Sequence, residues 1–124
     1  MLNLDYRDAR PIYEQVRDNL RRLMVSGAIQ EGEKLPSVRS LASNLAINPN
    51  TIQRAYAELE AEGYLVSQPG KGSFARGPGG GGRRREELLQ QFDQTVSELM
   101  FLGMTPEELA GRLRAARTVG GDPV

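Results

Sequence analysis

The amino-acid sequence predicts a mainly α fold with one small β-hairpin, joined by a short linker to a separate pair of helices. Three observations carry this prediction. Apolar residues recur at spacings of three and four in three segments between residues 11 and 62, as in helices that bury one face. Two short apolar runs flank Gln68-Pro69-Gly70-Lys71-Gly72, a turn composition that joins hairpin strands. Gly77-Pro78-Gly79-Gly80-Gly81-Gly82 follows, a stretch that neither continues a strand nor starts a stable helix.

Each element has a local reason. Pro11 opens the first helix at its first position, where its missing N–H is not needed. Ile12, Val16, Leu20, Leu23 and Met24 form the apolar stripe of that helix, and Gly27 suits the residue just past its end. Glu33-Lys34-Leu35 is a candidate for a short extra strand. Ser37 caps a second helix, whose buried face is Val38, Leu41, Ala42 and Leu45. A turn at Ala46-Ile47-Asn48 leads to a third helix, capped by Asn48 with Pro49 at its first position. Ile52, Ala55, Tyr56 and Leu59 form its buried stripe, and Gly63 ends it. Residues 64–67 read as a strand and residues 73–75 as its return. Three helices followed by a two-stranded hairpin is the layout of a winged helix-turn-helix domain, here residues 1–76.

The linker takes residues 77–82 and reaches only about 13 Å r.m.s., so the two parts are expected to be hinged but close. Residues 83–119 form the second part. Leu88, Leu89, Phe92, Val96, Leu99, Met100 and Leu102 sit on a helix of about five turns ending at Gly103. Thr105-Pro106-Glu107-Glu108 is a capping box that starts another, with Leu109, Ala110, Leu113 and Ala116 on its apolar face. Residues 120–124 are expected to fray. Two helices do not make a core alone, and the long one is apolar over more than one stripe. Leu88, Leu89, Phe92, Val96, Leu99, Met100, Leu109 and Leu113 are therefore assigned to an interface with a second copy of the chain. A small apolar cavity between subunits is the other reading of the same residues.

Composition narrows the function. Among 124 residues, Lys+Arg and Asp+Glu number 16 each, and there is no Cys or His. That excludes disulfides, thiolate and imidazole metal sites, and Cys- or His-based nucleophilic catalysis. No acidic spacing points to a carboxylate metal site, and no cofactor is expected. A chain this small, committed to helix stripes, does not enclose a catalytic cleft, so an enzyme is not the reading. No apolar run approaches the roughly 20 residues that span a bilayer, and the first residues lack the pattern of a signal peptide. The expectation is a soluble cytoplasmic protein. Zero net charge argues against a non-specific coater of DNA. It suits a specific binder that segregates its charges. Arg39, Arg54, Lys71 and Arg76 fall in or near one candidate face, and Glu58, Glu60 and Glu62 at the far end of the third helix, where they are expected to face away.

Several ordered motifs carry a resemblance. Leu35-Pro36-Ser37-Val38-Arg39-Ser40-Leu41-Ala42, Asn50-Thr51-Ile52-Gln53-Arg54-Ala55-Tyr56, Leu59-Glu60-Ala61-Glu62-Gly63-Tyr64-Leu65 and Gly70-Lys71-Gly72-Ser73-Phe74 resemble the GntR family of bacterial transcription regulators. Pro11-Ile12-Tyr13-Glu14-Gln15-Val16 is similar to that family's opening helix. The likeness covers residues 10–76, and the short two-helix tail is similar to the YtrA-like branch, whose C-terminal part is too small for a ligand-binding domain. The resemblance implies a homodimeric repressor that binds a palindromic operator, often near transporter genes. It maps DNA contacts onto Ser37 and Arg39, onto Asn48, Asn50, Thr51 and Gln53, and onto Gly70, Lys71 and Gly72. Many members have an Arg that reads guanine where this chain has Gln53; a Gln is also typical of the YtrA-like branch and suits adenine better.

The residues themselves support part of this. Arg39 stands in the first turn of its helix, where a cation is disfavoured unless a phosphate lies nearby. Asn50, Thr51 and Gln53 open the third helix, where a recognition helix meets base edges. Arg54 either reaches a phosphate or pairs with Glu58 four residues on. Lys71, between two glycines at the hairpin tip, reads as a wing residue that reaches the minor groove or the backbone; a solubilising turn charge is the other reading. Arg83-Arg84-Arg85 reads as a solvated run that pairs with Glu86, Glu87 or a partner chain's acids; contact with DNA beside the site is the other reading. The predicted function is a sequence-specific DNA-binding regulator, and the alternative is a winged-helix module that binds another protein without specific DNA binding.

Overall fold

The core forms where three helices and a hairpin meet. Val16 and Leu20, Leu41 and Ala42, Ile52, Ala55 and Leu59, and Leu65 and Ala75 are all buried together. In the computed structural model of the protein, which describes residues 2–77 and 82–116, the order is α1 (Ile12–Val25), α2 (Val38–Leu45), α3 (Pro49–Glu62), β1 (Leu65–Gln68), β2 (Gly72–Ala75), α4 (Gly82–Phe101) and α5 (Pro106–Ala116). This is the predicted fold class. The expected fraying of residues 120–124 and the middle of the linker lie outside the described residues.

Several boundaries differ from expectation: α4 begins at Gly82, inside the expected linker, and ends at Phe101, short of Leu102, and the starts of α1 and of the hairpin also move. Pro11 is the N-cap of α1 and not its first helical residue, because its ψ of 151° is extended. Its carbonyl accepts from the N–H groups of Glu14 and Gln15 at 3.1 and 3.3 Å. The cause lies upstream. Gln15 is buried, and its amide donates to the carbonyls of Asp5 and Arg10 while its oxygen accepts from the Asp5 N–H at 2.8 Å. That clamp ties the turn at residues 5–10, closed by the Asp8 N–H on Asp5 O at 3.1 Å, to the first turns of α1. The strands also shift by one residue, to Leu65–Gln68 and Gly72–Ala75: Leu65 pairs with Ala75 and Gln68 with Gly72, leaving Tyr64 outside the strand. Pro69 and Gly70 then take the centre of the turn. Gly70 has φ +75°, and the Lys71 N–H donates to Gln68 O at 2.9 Å, a type II turn that requires φ > 0 there.

The predicted extra strand is present as a single bridge, Lys34 to Phe74. It is fastened by Leu35 N–H to Ser73 O and Ala75 N–H to Glu33 O, both 2.9 Å. The predicted caps also form. Ser37 Oγ accepts from Ser40 N–H at 3.0 Å, and Asn48 Oδ1 from Asn50 N–H at 2.8 Å. In the capping box of α5, Thr105 Oγ1 accepts from Glu108 N–H and Glu108 Oε1 from Thr105 N–H, at 3.2 and 2.9 Å.

Helices α1 and α3 lie side by side, and a polar seam flanks their apolar contact. Three ties join them: Tyr13 with Arg54, Arg17 with Glu58 and Arg21 with Glu62. Each pair is 41 residues apart in sequence. A constant offset in steps of four means the helices run in the same direction with matched faces. Ile12 then stands opposite residue 53, so the first turn of α3 projects beyond the start of α1.

Turn geometry gives a first prediction. Ala46, between α2 and α3, has φ 55° and ψ 47°, and the Ile47 N–H donates to Ala42 O at 2.9 Å, closing the end of α2. A left-handed conformation is unfavourable for a residue with a Cβ by roughly 1–2 kcal/mol, partly offset by the greater unfolded-state entropy of glycine. Ala46→Gly is expected to stabilise the protein by up to about 1 kcal/mol, measured as a rise in denaturation midpoint at unchanged slope.

Candidate nucleic-acid interface

The candidate residues occupy three segments. Ser37 and Arg39 open α2, Asn48, Asn50, Thr51, Gln53 and Arg54 open α3, and Gly70, Lys71 and Gly72 form the hairpin tip. All are exposed except Thr51, which is half-buried. One short stretch of chain, residues 33–37, ties the three segments together. On one side Lys34 and Leu35 bond to β2. On the other, the Tyr56 hydroxyl of α3 donates to Pro36 O at 2.7 Å. The next residue, Ser37, is the cap of α2. The start of α2 is thus held against both the reading helix and the hairpin.

Tyr56 is a site residue that sequence reasoning placed only in the core. Its ring is buried, and burial pushes its hydroxyl pKa up to about 12 from 10.0. It stays protonated, and so stays a donor to Pro36, throughout the neutral range. Lys34 was likewise missed. Its side chain lies over the hairpin tip, where a Cβ on Gly72 would come within 2.9 Å of its Cε. Gly72 has φ +122°, so both backbone and space there favour glycine. The tip accordingly presents two lysines, Lys34 beside Lys71.

Of the two readings of Arg54, the structure displays the pairing geometry. Its guanidinium stacks on Tyr13 with Cζ 3.7 Å from the ring centroid, donates to the Tyr13 hydroxyl at 3.0 Å, and lies 3.8 Å from Glu58. The stack leaves the side chain 61 % exposed. The acids at the far end of α3 do not simply face away. Glu58 receives Arg17 at 2.6 Å and Glu62 receives Arg21 at 2.8 Å, while Glu60 accepts from Ser67 Oγ at 3.2 Å. Among the described residues no acid pairs with Arg39, Lys34 or Lys71. A chain of zero net charge therefore leaves Arg39, Lys34 and Lys71 without an acidic partner while Asp18, Glu58 and Glu62 are engaged along the α1 seam.

The residues assigned to an interface are left uncovered on a single chain. Neither α4 nor α5 has a buried residue. Leu88, Leu89, Phe92, Met100 and Leu113 are exposed, Phe92 at 47 %, whereas Val96, Leu99 and Leu109 are half-buried. Phe101, which the assignment omitted, is 87 % exposed.

Two helices joined by a tight turn, the second opening on the exposed polar residues Asn48 and Asn50, and a following hairpin with a cationic tip, define a winged helix-turn-helix regulatory protein. Residues 12–74 match the family of bacterial regulatory proteins described as the gntR family, and the chain belongs to it. Among its relatives is the HTH-type transcriptional repressor YtrA of Bacillus subtilis, 43% identical over 74 residues, which are 60% of this chain and 57% of that one. The structure resembles YtrA from Sulfolobus acidocaldarius, a GntR-family transcription factor, with TM-score 0.64 and 30% identity over 77% of this chain and 97% of that one. It also resembles AraR(DBD) in complex with operator ORR3, with TM-score 0.52 and 27% identity over 59% of this chain and 88% of that one. No helix of the described residues is long and apolar enough to cross a membrane.

The Tyr56 tie is testable apart from DNA. Tyr56→Phe removes the hydrogen bond to Pro36 and is expected to lower stability by about 1 kcal/mol, read by chemical denaturation. The raised folded-state pKa means this tie is intact below pH 10. Wild-type stability should fall as pH rises from 10 toward 12, and Tyr56→Phe should lose that part of the pH dependence.

Proposed function

We propose that this chain is a cytoplasmic, homodimeric, sequence-specific repressor that binds a palindromic operator. The observation that carries the reading is the projecting start of α3, with Asn48 and Asn50 exposed at its tip, in a domain whose Arg39 and Lys71 are exposed and without an acidic partner among the described residues. In this reading Asn50, Thr51 and Gln53 enter the major groove, with Gln53 favouring adenine over guanine. Ser37, Arg39 and Asn48 meet the phosphates beside it. Arg54 reaches a phosphate from its stack on Tyr13. Lys71 tracks the adjacent backbone or minor groove, and Gly70 and Gly72 permit the close approach.

Dimerisation has independent support. Leu88, Leu89, Phe92, Val96, Leu99, Met100, Leu109 and Leu113 form an apolar surface that a monomer leaves to water, and a second copy covers it with two-fold symmetry. Such a dimer sets two α3 helices about 34 Å apart, one turn of DNA.

Two experiments test this. In gel shifts with a palindromic site from the protein's own promoter, Arg39→Ala is expected to weaken all sequences alike and to reduce the salt slope by about 1. Gln53→Ala is expected to relax preference at one base pair by about 1–3 kcal/mol. Wild-type protein with no preference over random DNA would sink the DNA-binding reading in favour of a protein-binding winged helix. Light scattering should find the full chain dimeric and a chain ending at Gly77 monomeric; a monomeric full chain removes the role proposed for α4 and α5.

A further inference from the structure

Arg83, Arg84 and Arg85 stand at the start of α4, where the helix's own N-terminal partial charge disfavours cations. The structure gives that placement a reason. The Arg83 guanidinium lies 3.9 Å from the Glu62 carboxylate at the last residue of α3. Glu62 is almost wholly buried, at 4 % exposure, and its other oxygen receives Arg21 of α1 at 2.8 Å. One carboxylate is therefore shared between the reading domain and the tail. The backbones meet at the same point. Gly82 has φ +39°, and a Cβ there would come within 3.5 Å of Ala61 O and 4.0 Å of Glu62 O. Those carbonyls belong to the C-terminal end of α3, whose partial negative charge attracts the cations that α4 itself repels.

We propose that the Glu62–Arg83 junction latches α4 onto the far end of α3 and so determines which half-site spacing the dimer accepts. The proposal rests on the dimeric DNA-binding reading above. Its logic is mechanical. A glycine linker alone would let α4 swing, and a swinging dimer would accept many spacings. Helix α3 spans about 21 Å from its reading end to Glu62. With α4 locked at Glu62, any direction imposed by the dimer axis passes along α3 to the first turn that meets DNA. Adding two base pairs between half-sites rotates one of them by about 70°, which a locked junction resists.

The test uses full-length protein and duplexes carrying two half-sites with the spacer varied from the preferred length by up to four base pairs, beside a duplex with one half-site. Wild type is expected to bind the preferred spacer about tenfold tighter than spacers two base pairs longer or shorter. Arg83→Glu, which turns attraction to Glu62 into repulsion, is expected to narrow that ratio below about threefold while single-half-site affinity stays unchanged. Arg83→Ala, at an exposed position, carries the same comparison if the reversed charge impairs folding. Glu87→Gln removes the partner that Arg83 has within α4, at 3.7 Å, and is expected to leave the ratio as in wild type. Wild-type spacing selectivity in both Arg83 variants would overturn the latch and leave the DNA-binding reading standing. No gain of wild type on two half-sites over one would overturn the dimeric reading and the latch with it.

Discussion

The pairing of α1 with α3 is the constraint on which the rest of the molecule depends. Val16 and Leu20 meet Ile52 and Leu59 in the core, and the ties Tyr13–Arg54, Arg17–Glu58 and Arg21–Glu62 run beside them at a constant offset of 41 residues. The apolar contact supplies most of the favourable free energy, since removing such side chains from water contributes about 1.5–3 kcal/mol each. The polar ties add register. A slip of α3 along α1 would take from the largely buried Glu62 its 2.8 Å partner Arg21, and separating a buried charge from its partner is unfavourable. Register in turn decides how far the first turn of α3 projects past α1, and that projection makes it available to a groove.

The second consequence is electrostatic. Equal numbers of acids and bases argue, in composition alone, against a non-specific coater of DNA and leave a specific binder open. The fold sorts them. Asp18, Glu58 and Glu62 are engaged by Arg17 and Arg21, while Arg39, Lys34 and Lys71 are exposed and form no ion pair among the described residues. Local field and not net charge guides an anionic ligand at close range, because salt screens exposed charges beyond about 10 Å.

The hairpin has a structural task beside its cationic tip. Through the Lys34–Phe74 bridge and the Leu35–Ser73 hydrogen bond it anchors the strand that leads into Ser37, and Tyr56 anchors the same strand from α3. Three surface segments far apart in sequence thereby share one support. The tail differs in kind. α5 opens on its capping box and α4 closes on the Gly103 N–H to Met100 O bond, yet nothing in α4 or α5 is buried, so their hydrophobic faces are left without a partner on the single chain.

What the sequence by itself determined was everything set by short-range physics. Helix periodicity, the caps at Ser37, Asn48 and Thr105, the glycine-bearing turn at residues 68–71 and the exposure of Asn50, Gln53 and Lys71 were legible because each depends on residues a few positions apart. Boundaries set by distant contacts were not. Pro11 became a cap because Gln15 clamps Asp5 and Arg10, and the strand moved past Tyr64 to pair Leu65 with Ala75. Only the tertiary structure decided that Arg54 rests on Tyr13, that Tyr56 holds Pro36, that Lys34 joins Lys71 at the tip, and that Glu62 is shared by Arg21 and Arg83. A charged or hydroxyl side chain carries no local mark of its partner. Its role is settled by which element the core brings within about 3–4 Å of it, and that is a property of packing.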